Sequence, residues 1–107
     1  MTSKKNNNKE HDDLIRQAFK IFGDVWNLAI VRVLSQTAQR FNELQRNLGG
    51  ISPTTLTDRL KKLESYGLIV QERRTVDQLS VIYSLTDKGK KMLPILKAIE
   101  SFSKKFL

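Results

Sequence analysis

The chain has 107 residues, of which 39% are hydrophobic, so it is long enough for one small domain with a core and too short for two. It contains no cysteine, which excludes disulfide bonds, thiolate metal sites, cysteine nucleophiles and thiol redox switches. Its 19 Lys and Arg against 11 Asp and Glu give a net charge of +8, which favours an acidic partner such as nucleic acid or an anionic membrane surface.

The first segment is predicted to be a tail followed by a helix. Residues 1–11 are polar, rich in asparagine and without hydrophobic periodicity, which indicates a disordered polar tail. Asp12 or Asp13 can cap a first helix, because a carboxylate accepts from the unpaired N–H groups there. Gly23 is expected to end this helix in a left-handed conformation.

A second helix is predicted from its cap residue, Asp24, to about Ser35. The side chains between these two positions are apolar on nearly every face. A helix of this kind belongs at the centre of a domain.

Residues 41–66 carry the pattern of a helix-turn-helix. The first helix is short and ends at Gly49-Gly50, after which a tight turn must follow. Ser52 is the expected N-cap of the next helix, and Pro53 takes its first position, where the missing N–H costs nothing. The buried face of this second helix is formed by three leucines: Leu56, Leu60 and Leu63.

The remaining residues predict a β-hairpin and a last helix. Two strand-like runs in residues 68–85 flank a short turn, and a hairpin directly after a helix-turn-helix is a wing. Thr86 caps a C-terminal helix, 86–106, which Pro94 either kinks or divides. The predicted fold is therefore mainly α with a small β-hairpin, a single winged helix-turn-helix domain over residues 12–107.

The polar face of the second helix is the candidate for base reading. At about 100° per residue, the face opposite the leucines carries hydroxyls, one acid and cations, which suit base edges and phosphates. Recognition helices present their N-terminal half to the bases, so Thr54, Thr55 and Asp58 are the base-reading candidates, and Arg59 has the length to reach guanine or phosphate. The candidates on this helix are Ser52, Thr54, Thr55, Thr57, Asp58, Arg59, Lys61 and Lys62. For any one of them a solvated helix face is an equally good interpretation, whereas the turn, cap and hairpin favour DNA for the group.

Further candidates flank the helix pair. Arg73 and Arg74, with Gln78 at the tip of the wing, suit phosphate or minor-groove contact, although a charged strand edge that discourages aggregation has the same composition. Arg40 and Asn42 open the short helix, where a phosphate can bind.

A series of short motifs stands in the chain in a fixed order: Gly23-Asp24-Val25-Trp26, Arg40-Phe41-Asn42-Glu43-Leu44, Ile51-Ser52, Leu56-Thr57, Arg59-Leu60, Leu63-Glu64, Gly67-Leu68 and Tyr83-Ser84-Leu85-Thr86-Asp87-Lys88-Gly89. In order and spacing they resemble the HxlR-type winged helix-turn-helix transcriptional regulators, which are similar to the broader MarR group. The resemblance covers roughly residues 14–100.

This resemblance implies a homodimeric bacterial regulator that binds double-stranded DNA with one recognition helix per subunit and dimerises through its first and last helices. The sequence offers apolar faces on these two helices, and the candidate dimerisation residues are Ile15, Phe19, Phe22, Ile99, Phe102 and Phe106. Some of these side chains are also expected to pack in the core of one chain. Many members carry a sensing cysteine before the first helix and a proline-rich wing. This chain lacks the cysteine, so the resemblance carries over no thiol sensing, and residues 75–80 of its wing contain no proline. The resemblance names no small-molecule effector.

Three other functions need comparison with the composition: membrane insertion, catalysis and protein–protein contact. The densest apolar run, residues 28–31, ends at Arg32 and is far too short to span a bilayer. We therefore expect no membrane partner and a cytoplasmic location. The single imidazole, His11, lies in the predicted tail and no phosphate-binding glycine motif occurs, so no enzyme activity, cofactor or metal is predicted. A winged helix used for protein–protein contact stays open, because a fold does not fix a function.

Overall fold

The computed structural model describes the backbone of residues 2–73 and 81–107, and the side chains from residue 8 onwards within those ranges. The elements there are, in chain order, α1 (Thr2–Phe22), α2 (Val25–Leu34), β1 (Gln39–Arg40), α3 (Phe41–Asn47), α4 (Pro53–Ser65), β2 (Ile69–Arg73), β3 (Val81–Leu85), α5 (Asp87–Lys90) and α6 (Leu93–Phe106). None of the helices in these ranges has the length and apolar content that crossing a membrane requires. The mainly helical, winged helix-turn-helix fold is confirmed.

The helix-turn-helix forms where its local signals predict it. Gly49 and Gly50 take φ values of 23° and 88° between α3 and α4, a left-handed turn that side chains rarely adopt. The Ser52 hydroxyl caps α4 by accepting from the Thr55 backbone N–H at 3.1 Å. Gly67, at φ 73°, ends α4. These residues therefore fix both ends of the helix that carries the candidate site.

The core lies between α2, α3, α4 and the sheet. Ile30 and Val31 of α2 are fully buried, which confirms the predicted central position of that helix. All three leucines of the predicted stripe on α4 are buried as well. Burying each such side chain contributes roughly 1.5–3 kcal/mol, so the inward face of α4 is firmly specified.

The wing strands belong to a three-stranded antiparallel sheet of order β1-β3-β2. β2 and β3 pair from Ile69 opposite Leu85 to Arg73 opposite Val81. β1 was not expected, because two residues are too few for a strand pattern; its Gln39 pairs with Tyr83. The sheet therefore joins the start of α3 to the base of the wing.

The first helix is longer than its sequence predicts. The backbone is helical from Thr2, where the predicted tail (1–11) and a cap at Asp12 or Asp13 were expected to leave the chain irregular. Extending a helix that has already formed fixes one residue for each added hydrogen bond, which makes such an extension cheap, and Lys9 and Glu10 are good helix formers.

Two other boundaries differ from expectation. Gly23 does not have the positive φ that was predicted; its N–H donates to the Phe19 carbonyl at 2.7 Å, and the extended Asp24 makes the turn into α2. The predicted C-terminal helix 86–106 is divided into α5 and α6, with Pro94 in the first turn of α6. Proline has no N–H to donate to the preceding turn, so it is tolerated only at such a start.

Candidate nucleic-acid interface

The exposed face of α4 matches the orientation that its leucine spacing predicts. Thr54, Thr57, Asp58, Lys61 and Lys62 are all exposed to solvent. Of these, Thr54 and Thr57 have side-chain hydroxyls that make no hydrogen bond to the described part of the chain. Their hydroxyls are therefore available as donors and acceptors to an outside partner.

The hydroxyls at the start of α4 are partly engaged. The Ser52 hydroxyl donates to the Thr55 hydroxyl at 2.9 Å while it accepts from the Thr55 N–H. Thr55 is half-buried, whereas Ser52 is exposed. Both retain an oxygen lone pair, so they remain acceptors at the edge of the face.

Asp58 stands between two cations. Its Oδ2 accepts from Arg59 Nη1 at 2.6 Å and lies 3.4 Å from Lys62 Nζ, one turn further along α4. The hydrogen bond from the Arg59 guanidinium, with the contribution of Lys62, holds the pKa of the Asp58 carboxyl below its usual value. Asp58 is therefore an ionised acceptor, which suits the amino group of cytosine.

Arg59 does not lie with the exposed group. Its Nε donates to Asp24 Oδ2 at 2.9 Å, and only 24% of its side chain is exposed. Sequence reasoning placed Arg59 at guanine or phosphate and treated Asp24 only as a cap. The link between them joins residues 35 positions apart, and no local signal announces it.

A groove separates α3 from the sheet beside the wing. It has a volume of about 1090 Å³, and its polar lining includes Arg40, Asn42, Gln45, Arg46 and Gln71. The Glu43 carboxylate accepts from the Arg40 backbone N–H at 3.0 Å, which caps α3 and leaves the Arg40 side chain at the surface. Arg40 and Asn42, both predicted, thus lie together here.

Sequence reasoning missed the other polar residues of this groove, among them Arg46 and Gln71. Arg46 lies one helical turn after Asn42, and this spacing was the signal for it. Gln71 has no comparable signal, because its position follows from pairing with Tyr83, and its amide donates to the Glu64 carboxylate at 3.1 Å. Burial, together with the negative charge of Glu64, raises the pKa of the Tyr83 hydroxyl, which therefore stays protonated at neutral pH.

The predicted wing residues are described in part. Arg73 is the last residue of β2 and its side chain is exposed beside its partner Val81 in β3. Arg74 and Gln78 lie outside the described residues. The Arg73 side chain therefore points to solvent at the end of the paired strands.

The terminal helices expose most of the apolar residues that were predicted to mediate dimerisation. Their exposed fractions are 40% for Ile15, 68% for Phe19, 45% for Ile99, 57% for Phe102 and 65% for Phe106. Phe22 is instead half-buried against the core. In the described part of the chain, α6 contributes no buried residue, and its Phe102 and Phe106 rings contact one another at 5.2 Å between centroids. Leu14, Val25 and Ile95 extend this exposed apolar surface.

Comparison with known proteins agrees with this architecture. A family model described as HxlR-like helix-turn-helix matches residues 21–107. Among curated relatives, the HTH-type transcriptional regulator YvaP of Bacillus subtilis is 33% identical over 101 residues, which cover 94% of each chain. The HTH-type transcriptional regulator BH0655 of Halalkalibacterium halodurans is 38% identical over 80 residues, 74% of this chain and 71% of its own.

Solved structures show the same fold. The reduced form of the transcriptional regulator YodB from B. subtilis superposes with a TM-score of 0.77 at 30% identity, covering 85% of this chain and 89% of that one. A MarR-family regulator from Porphyromonas gingivalis W83 superposes with a TM-score of 0.78 at 36% identity, covering 87% and 91%. The chain therefore belongs to the HxlR-like helix-turn-helix family and is a DNA-binding transcriptional regulator.

Proposed function

We propose that the protein binds a specific DNA sequence as a homodimer, with α4 of each subunit in the major groove and the wing on the backbone or in the minor groove. The observation that carries this proposal is the exposed polar face of α4. Its leucines are buried against the core, so its hydroxyls, the Asp58 carboxylate and its lysines face outwards together. The proposed function is regulation by binding DNA rather than catalysis. We also propose that the protein acts in the cytoplasm.

The contacts divide along α4. Thr54, Thr55 and Asp58 lie in its N-terminal half, which recognition helices present to base edges, and we assign base reading to them. Lys61 and Lys62 follow in the C-terminal half and are assigned to phosphates. The two other hydroxyls on this side, Ser52 and Thr57, complete the contact at its rim.

Phosphate contacts beyond α4 come from the wing and from the groove beside it. Arg73 at the end of β2, continued in sequence by Arg74 and Gln78, is assigned to the backbone or minor groove. The groove cations Arg40 and Arg46 are assigned to phosphates, together with the Asn42 amide. Phosphate contacts outside a recognition helix fix its register on the duplex without reading sequence.

The homodimer is proposed from the apolar surfaces of α1 and α6. Monomeric proteins rarely leave a large contiguous apolar patch in water, and Phe19, Phe102 and Phe106 are each more than half exposed in one chain. A groove of about 500 Å³ between α2 and α6, partly lined by Leu28, Leu96 and Ile99, adds apolar surface beside these helices. A second copy would cover such a surface symmetrically. In such a dimer we expect the two recognition helices to lie about 34–36 Å, or a multiple of this, apart along the DNA.

The division between reading and positioning contacts predicts two kinds of variant. Thr54→Ala and Asp58→Ala should each change base preference at one position of the site, by about 1–3 kcal/mol of discrimination. Arg73→Ala should weaken binding to all sequences alike and reduce the slope of log affinity against log salt by about one. Binding-site selection with sequencing, followed by fluorescence anisotropy on selected and scrambled duplexes across a salt series, measures both effects.

Lys97→Gln is the matched control, because it removes one positive charge from α6, away from α4. It should leave base preference unchanged. Absence of binding at low salt would contradict the DNA interface, because phosphate contacts strengthen as salt is removed. It would leave a protein–protein role as the better interpretation of the fold. Equal effects of Thr54→Ala and Asp58→Ala on selected and scrambled DNA would contradict their assignment to base reading.

A further inference from the structure

We propose that Arg59 is a positioning residue of the recognition helix and not a DNA contact: Asp24 holds Arg59, and Arg59 holds Asp58 in the orientation that reads a base. This inference rests on the proposed role of α4 as the base-reading helix and goes beyond it. It links the polar face of α4 to the junction between α1 and α2.

One carboxylate serves two elements at the first end of this link. Asp24 Oδ1 accepts from the Asn27 N–H at 3.0 Å and so caps α2, while Oδ2 accepts from Arg59 Nε at 2.9 Å. About a quarter of each side chain in the Asp24–Arg59 pair is exposed. The pair is thus shielded from water on most sides, and its geometry is better defined than that of a surface ion pair.

The other end of the link is Asp58. Arg59 Nη1 donates to Asp58 Oδ2 at 2.6 Å, so a single planar guanidinium bridges the carboxylates of Asp24 and Asp58. A guanidinium holds its donors in a rigid fork, which fixes both partners relative to one another. Because two carboxylates already neutralise its charge, Arg59 is a poor ligand for phosphate.

The consequence is a pre-organised acceptor on the DNA face. Asp58 Oδ1 makes no hydrogen bond to the described part of the chain, whereas Oδ2 is fixed by Arg59 and by Lys62 at 3.4 Å. A side chain that is already held in its bound rotamer loses less entropy on binding. Asp24 is separated from α1 only by Gly23, so this link also ties the reading helix to the framework that carries α1.

Asp24→Asn is the first test. Asparagine is as good an N-cap as aspartate, so α2 keeps its cap, while an amide replaces the carboxylate that faces Arg59. Asp24 is acidic and gives up no phosphate contact. We expect affinity for the selected DNA to fall about tenfold, the scale of coupling between contacting side chains, with affinity for scrambled DNA within about twofold of wild type.

Arg59→Lys is the second test and does not depend on the first. Lysine keeps the positive charge and is able to contact a phosphate, but it lacks the fork that joins two carboxylates. We expect it to relax the preference for the base pair that Asp58 reads, by the same factor as Asp24→Asn, with an unchanged salt slope. The Asp24→Asn/Arg59→Lys double variant should lose no more affinity for the selected DNA than either single variant. Each single change already breaks the link from Asp24 through Arg59 to Asp58, so the second change has nothing further to break.

Lys61→Gln is the matched control on the same helix. It removes an exposed cation that has no carboxylate partner in the described chain, and it should lower affinity for all DNA and the salt slope by about one. Anisotropy titrations are made at a temperature where circular dichroism shows every variant folded.

The outcomes separate the inference from the proposed function. If Arg59→Lys keeps full base preference, the positioning role is overturned whatever Asp24→Asn does. A fall in salt slope for Arg59→Gln, equal to that of Lys61→Gln, would instead make Arg59 a phosphate contact. If Thr54→Ala and Asp58→Ala leave base preference unchanged, the proposed function of α4 as the base-reading helix is itself wrong.

Discussion

Gly89→Ala is expected to lower the free energy of unfolding by about 3 kcal/mol, near the upper end of the range for inserting atoms into a packed site. A Cβ on residue 89 would overlap the carbonyl oxygen of Leu68 and press against its carbonyl carbon. These are backbone atoms of the residue just before β2 and have no rotamer through which to yield. α5 would have to move away from the base of the wing.

That movement would also break the contacts that fasten α5 to the end of α4. The Thr86 hydroxyl donates to the Gly67 carbonyl at 2.6 Å and accepts from the Gly89 N–H at 3.0 Å. Lys88 Nζ donates to the Tyr66 carbonyl at 2.7 Å. Moving α5 away from Leu68 therefore loosens the hydrogen bonds from Thr86 to Gly67 and from Lys88 to Tyr66 together. For this reason we expect a large loss of stability rather than a local adjustment.

Thermal unfolding followed by circular dichroism measures the effect, since each kcal/mol lowers the Tm of a domain of this size by about 4–8 °C. Gly49→Ala is the matched control. Its added methyl meets nothing within 4 Å, and its φ of 23° leaves only the left-handed penalty of about 1 kcal/mol. Equal Tm values for Gly89→Ala and Gly49→Ala would show that α5 does not need its close approach to Leu68.

Phe102→Glu is expected to convert the proposed dimer into a monomer and to weaken binding to a two-half-site duplex by 100-fold or more, the scale on which linked binding exceeds single binding, about 10²–10⁴. In one chain Phe102 is 57% exposed, so the charge should leave the subunit folded. In the proposed interface the same carboxylate would lie in an apolar environment without a partner, which is strongly unfavourable.

Sedimentation equilibrium gives the oligomeric state, and anisotropy compares a two-half-site duplex with a single half-site. Affinity for the single half-site should be unchanged, because α4 is untouched. Lys97→Gln is the matched control: it changes the net charge by the same amount from the opposite face of α6, at about 100° per residue, and should stay dimeric. A Phe102→Glu dimer of unaltered stability would remove α6 from the interface.

The helix pair and its polar face are predictable because the responsible interactions are local. Ser52 and Pro53 define the start of α4 through groups within one turn of it. Leucines at helical spacing define its buried face, and the outward position of Thr54 and Asp58 follows from that spacing alone. Each of these inferences needs only residues that are close in sequence, and each agrees with the structure.

The parts that sequence could not supply depend on contacts between distant residues. Arg59 is a residue type that often contacts DNA, and only the fold shows that its guanidinium is hydrogen-bonded to Asp24, 35 positions earlier. The two-residue β1 exists because β3 lies beside it, and no periodicity predicts it. The start of α1 was misplaced for a different reason: a carboxylate that can cap a helix is equally compatible with its interior.

The sheet register has a consequence for how the chain can vary. No residue separates β1 from α3, because Arg40 is the last residue of the strand and Phe41 is the first of the helix. An insertion or deletion of one residue at this junction would turn α3 by about 100° relative to the sheet. It would move Asn42 and Arg46 out of the groove. We therefore expect changes of length to be tolerated poorly at this junction, because the spacing from Gln39 to Asn42 sets which side chains of α3 face the sheet.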